Sequence, residues 1–287
     1  MLQASPRCDS ASAMRSASLL FSEPAMPHTL RLLISSFNTP RLLQNGSSQR
    51  AVVCIYRCPW YGCFGAQKVV KKFRLLCFRV SLKILVTSDF HARRDLLDAA
   101  VEEANTGDYD LFINLGDYMD QDYAEELFDR VEITSLGCTG NRDMGFSDDF
   151  LDSEVSVFNF LEADVDDEYK VILVGGTMMD DFQEEIESII EEFGDSSKVF
   201  VGTHHPPRKV GDKLKTGGRA GWDEYRETIL KHQPAVWANG HIHEDYGHRE
   251  LMGTTVLNAA SEESEKGFSV TLGDGGGVEN VEEVDLL

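Results

Sequence analysis

The chain has 287 residues, a formal net charge of −22 at pH 7 and 42% hydrophobic residues, a length that accommodates one or two domains with a sizeable core. No stretch approaches the roughly 18 apolar residues of a membrane span, and no N-terminal apolar core of about 7–15 residues marks a secretory signal. The negative charge weighs against a long polyanion such as nucleic acid as partner.

Charge and cysteine divide unevenly along the chain. Residues 1–79 hold eight Arg and three Lys against one Asp and one Glu, a net +9, whereas residues 80–287 hold 16 basic and 47 acidic residues, a net −31. Cys8, Cys54, Cys58, Cys63 and Cys77 fall in the first part and only Cys138 in the second. The first part shows no sustained period of 2 or 3.6 and reads as an unstructured N-terminal extension. Its Arg- and Ser-rich, acid-poor composition shares the character of an organellar transit peptide. The spacing of Cys54, Cys58, Cys63 and Cys77 lacks the paired CxxC of common zinc sites. Val80-Ser-Leu-Lys-Ile-Leu-Val leads straight into an apolar run, and valine codons serve as prokaryotic starts. The expectation is therefore an extension or misassigned start over 1–79 and one domain over 80–287. An acidity of this size suits a soluble cytoplasmic protein in a salt-rich cytosol, where screening relieves self-repulsion.

From residue 83 the chain alternates. KILVT (83–87) reads as a strand and RRDLLDAAVEEAN (93–105) as a helix. LFIN (111–114) is a strand, DYAEELFD (122–129) a helix and VEITSLG (131–137) a strand. VSVFNF (155–160) and YKVILVGG (169–176) read as two further strands. In DFQEEIESIIEEF (181–193), Phe182, Ile186, Ile189, Ile190 and Phe193 recur at helical spacing, a core-facing stripe. SKVFV (197–201), a helix over 222–232, PAVWA (234–238), GTTVLN and GFSVTLG complete the series. Such alternation implies an α/β sandwich with helices outside. The acidic tracts Glu162–Glu168 and Glu262–Glu265 read as solvated faces or loops.

Five of the apolar runs end on a polar block: SDFH (88–91), LGDYMD (115–120), TGNRD (139–143), GTHHPP (202–207) and NGHIHE (239–244). Active sites of open α/β sheets sit at such strand ends. In DxH and HxH the two side chains lie on one side of an extended segment, because strand side chains alternate. Carboxylate, imidazole and amide oxygen suit hard and borderline divalent ions. A carboxylate such as Asp117, with two oxygens, can bridge two ions. Taken singly, Asp117, His204 and Asn141 have ordinary readings as a cap, a packed histidine and a turn residue. Their order and joint placement point to metal.

The blocks DxH, GD, GNx, a lone His and GHxH resemble those of the calcineurin-like metallophosphoesterase superfamily, over residues 83 to about 272. The chain looks most like its small, single-domain prokaryotic Icc-related members, which carry a THxPP loop followed by a Gly-rich stretch. The resemblance implies the superfamily's β-sandwich with flanking helices, in α-β-β-α layers. It also implies two divalent ions (Mn, Fe, Zn or Ni, with Mn favoured). One ion would be held by Asp89, His91, Asp117 and His243, the other by Asp117, Asn141, His204 and His241. A bridging hydroxide would attack a small phosphorylated substrate, a diester or nucleotide before a monoester. A nuclease of the same superfamily, or a non-catalytic scaffold with this fold, is the alternative.

One block departs from the pattern. Many members have His after the Asn, and this chain has Arg142. Arginine cannot act as a general acid, but its fork can bind phosphate and stabilise transition-state charge. Asp143 or His205 is then the candidate proton source. The loop 208–221 holds Arg208, Lys209, Lys213, Lys215 and Arg219. It reads as a positively charged substrate lid, with Arg208, Lys215 and Arg219 as candidate phosphate contacts. Glu244, beside His243, is the candidate outer partner of a ligand imidazole.

Overall fold

The computed structural model describes residues 54–57, 69–73, 81–151, 156–176 and 182–287. Its elements are β1 (Cys54–Arg57), β2 (Val69–Phe73), β3 (Ser81–Thr87), α1 (Arg94–Thr106), β4 (Leu111–Asn114), α2 (Gln121–Arg130), β5 (Thr134–Cys138), α3 (Asp148–Leu151), β6 (Val157–Phe158), β7 (Phe160–Val165) and β8 (Tyr169–Val174). They continue through α4 (Gln183–Phe193), β9 (Val199–Thr203), α5 (Asp223–His232), β10 (Val236–Asn239), β11 (Gly247–Leu251), β12 (Thr254–Asn258), α6 (Ser261–Ser264), β13 (Lys266–Gly273) and β14 (Val278–Asp285).

Two sheets form: an eight-stranded one in the order β1-β2-β7-β8-β9-β10-β12-β11, and a six-stranded one in the order β14-β13-β3-β4-β5-β6. Side-chain alternation explains why they stack. In β3, Leu82, Ile84 and Val86 face the second sheet, against Leu161, Leu173, Val236 and Leu257. Leu85, on the opposite face, packs with Leu96, Ala100 and Tyr123 of α1 and α2. The other outer face carries α4 and α5, where Ile186, Ile189, Ile190, Tyr225 and Ile229 cover Ile172, Val201 and Trp237. The layers are thus α-β-β-α, as the sequence pattern implies. Asp120 caps α2 by accepting from the Tyr123 amide at 2.8 Å, the role short polar side chains take at helix starts.

Three sequence readings change. VSVFNF does not form a single strand. It divides at Asn159, so that β6 pairs with β5 in the smaller sheet and β7 pairs antiparallel with β8 in the larger. The tract 162–168 is not simply solvated, because Glu162 and Asp164 both pair with Lys170, itself 6% exposed. β14 is an addition to the expected series; its exposed Glu279, Glu282 and Glu283 mask a strand that pairs along β13. Within the segment read as an extension, the main chain of β1 pairs with β2 and that of β2 with β7. Val80, where a start was expected, lies outside the described residues, as does most of 1–79.

Candidate metal centre

Strands β3, β4 and β5 run parallel, as do β9 and β10. Their carboxyl ends meet where the sheets close on each other: Ser88 bridges to Ala260, and the Gly176 amide donates to the Thr139 carbonyl at 2.6 Å. The five polar blocks occupy this junction. Asp89, His91, Asp117 and His241 have φ of 56°, 47°, 61° and 70°, a left-handed conformation that costs about 1–3 kcal/mol per residue and collects at functional sites. The glycines of the blocks are required by close approach. A Cβ on Gly140 would lie 2.1 Å from Asp117 Oδ1, and one on Gly240 2.2 Å from Asp89 Oδ2.

The seven expected ligands converge. His91, Asp117, Asn141, His241 and His243 line one pocket of about 610 Å³, with Asp89 and His204 fully buried beside them. Asp89, His91 and His243 place donor atoms within 4.8 Å of one another, and so do Asp89, Asp117 and His204. Asp117 faces both ways: Oδ2 is 3.1 Å from His91 Nε2 and Oδ1 is 3.5 Å from His204 Nε2.

The donor chemistry of this cluster fits bound cations. His204 Nδ1 lies 2.9 Å from the Leu115 carbonyl oxygen, which only accepts, so Nδ1 is the nitrogen that donates there. His204 Nε2 faces Asn141 Oδ1 at 2.9 Å. Imidazole nitrogens, an amide oxygen and two carboxylates converging in one place are donor types that suit divalent ions. His241 is a free base at neutral pH: burial, then the neighbouring His204, pushes its pKa down to about 4. Burial alone would raise Asp89 and Asp117. The hydrogen bond from His243 to Asp89, the one from His91 to Asp117 and the nearby His204 hold both below the usual carboxylate range. Both carboxylates are thus ionised at neutral pH.

The remaining candidates divide. Arg142 is exposed and lines the pocket; its backbone amide donates to Asp117 Oδ1 at 2.8 Å, and among the described residues no carboxylate pairs with its guanidinium. Asp143 does not approach it. The Asp143 carboxylate accepts from the amides of Asp117 at 2.9 Å, Gly140 at 2.7 Å and Met119 at 3.0 Å. Burial pushes its pKa up to about 6 against those amide bonds, which favour the ionised form. Asp143 is therefore placed as a clamp on two ligand loops. His205 stacks on Trp222 with centroids 5.1 Å apart, and burial, then His204 and His241, lowers its pKa to about 3. It carries no extra proton near pH 7.

The basic loop is not an open lid. Arg208 donates to the Gly221 carbonyl, Arg219 pairs at 2.6 Å with the buried Asp212, and Lys215 pairs at 3.0 Å with Glu263. None of the three lines the pocket. Glu244 is not the partner of an imidazole either; it accepts from the Lys215 amide at 2.9 Å. That place is taken by Glu262, hidden in sequence within an acidic tract. Its Oε2 lies 2.7 Å from His91 Nδ1 and 3.1 Å from His243 Nδ1.

Residues 82–245 match the sequence profile of calcineurin-like phosphoesterases. The chain belongs to the calcineurin-like phosphoesterase family. Solved structures of similar fold include TT1561 of Thermus thermophilus, at 14% identity over 72% of this chain and 99% of that one, TM-score 0.51. Purple acid phosphatase PPD1 from yellow lupin (Lupinus luteus) seeds is similar at 9% identity over 76% of this chain and 56% of that one, TM-score 0.51. No curated protein is matched by sequence. Among the described residues, no helix is long and apolar enough to cross a membrane.

Proposed function

We propose that this calcineurin-like phosphoesterase is a hydrolase of small phosphate esters that uses two divalent ions, manganese before iron, zinc or nickel, with residues 80–287 as the catalytic domain. The observation that carries the metal reading is the convergence of donor atoms: Asp89, His91 and His243, and likewise Asp89, Asp117 and His204, lie within 4.8 Å of one another, with Asn141 Oδ1 at 2.9 Å from His204 Nε2. One ion would rest on Asp89, His91, Asp117 and His243, the other on Asp117, Asn141, His204 and His241. When bound, such ions lower the pKa of a water and offset phosphate charge. The chain's own residues do the rest. Asp143 holds the Asp117 and Gly140 loops against each other, and Arg142 offers its fork to phosphate oxygens from the open side.

The rim favours diesters over monoesters. Glu244, Glu262 and Glu263 line the same pocket as Arg142. Glu244 and Glu262, with Glu263 offset by Lys215, disfavour a dianionic phosphate more than a diester monoanion. Having no titratable acid at the Arg142 position, the site suits leaving groups that depart without a proton. The same acidic rim, and a net charge of −22, oppose the nuclease reading. The acidity also suits a salt-rich cytoplasm.

The test is hydrolysis by the full chain, stripped of metal and reloaded with Mn²⁺, of an aryl phosphodiester, the matching monoester and single-stranded DNA. The reading expects diester turnover that vanishes on chelation and returns with Mn²⁺. Metal-independent turnover, or DNA as the best substrate, would refute it.

A further inference from the structure

Glu262 touches two of the proposed ligands and neither is near it in sequence. Its Oε2 reaches His91 Nδ1 at 2.7 Å and His243 Nδ1 at 3.1 Å, and the two rings lie 4.9 Å apart. Glu262 thus lies against the Nδ1 edge of both rings, and both Nε2 atoms turn inward. His91 Nε2 is 3.1 Å from Asp117 Oδ2, and His243 Nε2 is 3.3 Å from Asp89 Oδ1.

The fold fixes where this carboxylate stands. Glu262 is the second residue of α6, which begins as the Ser261 amide donates to the Ser88 carbonyl at 2.9 Å, one residue before Asp89. Arg93, two residues after His91, donates to the Glu262 carbonyl at 2.7 Å and to the Glu265 carboxylate at 3.0 Å. The strip carrying Glu262 is thus bolted to the strip carrying Asp89 and His91.

The other half of the cluster is built differently. His204, the buried histidine of the second group, sends its Nδ1 proton to a main-chain carbonyl, Leu115, at 2.9 Å. One histidine pair therefore has an anionic outer partner and the opposite histidine a neutral one.

We infer that Glu262 is a positioning residue that sets the ring orientation of His91 and His243 together, and so strengthens one of two metal positions and not the other. The inference rests on the two-ion reading above. A carboxylate against the Nδ1 edges of both imidazoles holds the two rings at the angle needed to share an ion with Asp89. The position formed by Asp89, His91 and His243 is the tighter one in the native chain, and Glu262 is the source of much of that difference.

The experiment is calorimetric titration of the metal-free full chain with Mn²⁺, repeated with Co²⁺ and followed by its visible absorption. Parent, Glu262→Ala and Glu262→Gln proteins are compared, and the melting temperature of each metal-free protein is recorded. Glu262→Ala is expected to weaken one of two binding steps by about 10–100-fold and to leave the other within about twofold. It should also change the Co²⁺ spectrum of the affected step. Glu262→Gln, which keeps an acceptor oxygen but loses the charge, falls between. The metal-free melting temperatures of all three should agree. Two steps unchanged in Glu262→Ala overturn the inference. Two steps weakened alike, with a lowered metal-free melting temperature, also overturn it, since that is the mark of a merely structural residue. A parent protein that takes up no ion overturns the metal reading itself, which distinguishes the two failures.

Discussion

The floor and the rim of the pocket are built by different means. On the floor, Asp89, Asp117, Asp143 and His204 are each at most 2% exposed, and main-chain groups hold them. Asp89 Oδ2 takes the His241 amide at 2.9 Å, Asp117 Oδ1 the Arg142 amide, and Asp143 three more amides. On the rim, Glu262 and Glu263 are set by pairings with His91, His243 and Lys215, Glu244 takes one amide, and the Arg142 guanidinium has no carboxylate partner among the described residues. Amides fixed in a folded chain cannot relax, so the floor is preorganised at the cost of left-handed backbone at four ligand residues. The rim carries the charged side chains that line the open pocket.

The contrast breaks most readily at Asp143. Replacing it by Ala leaves three buried amides without an acceptor. At about 1 kcal/mol or more for each unsatisfied donor, the loss is roughly 3–5 kcal/mol. Thermal melting should show this as a fall of about 6–20 °C, with weaker metal uptake. An Asp143→Ala protein as stable as the parent would remove the distinction between floor and rim.

A smaller effect is expected at Arg142. Its guanidinium supports no fold contact among the described residues, so Arg142→Ala should melt with the parent and keep its metal. Steady-state assay on a diester should show kcat/KM lower by about 100-fold, the scale of one lost charge-stabilising donor. A fall in kcat with unchanged KM would place the contact in the transition state, and a rise in KM alone in ground-state binding. An unchanged diester rate would make Arg142 a bystander.

The same division governs what could be read from sequence. The floor is written in short blocks because its geometry forbids most residues: a side chain at position 140 or 240 would collide with Asp117 or Asp89, and the polar partners sit one or two residues away. The apolar periods of β3 and α4 were legible for a similar local reason. The rim has no such local grammar. Glu262 sits among like residues, and only the anchoring of α6 by Ser88 and Arg93 turns it inward. Arg208, Lys215 and Arg219 look like a basic lid in one dimension. Folded, they have a carbonyl, a carboxylate on the rim and a buried aspartate as partners. Counting charge cannot tell which charges are already paired. The division of VSVFNF at Asn159 was hidden likewise, since a change of sheet leaves the alternation of side chains intact.

The central claim is that Asp117 stands between two cations. Its most direct test is anomalous diffraction from crystals of the full chain grown with Mn²⁺. We predict two peaks about 3.5–4 Å apart, one against His91 and His243, the other against His204 and Asn141, with the Asp117 carboxylate touching both. A single peak, or none within bonding distance of Asp117, would contradict the account.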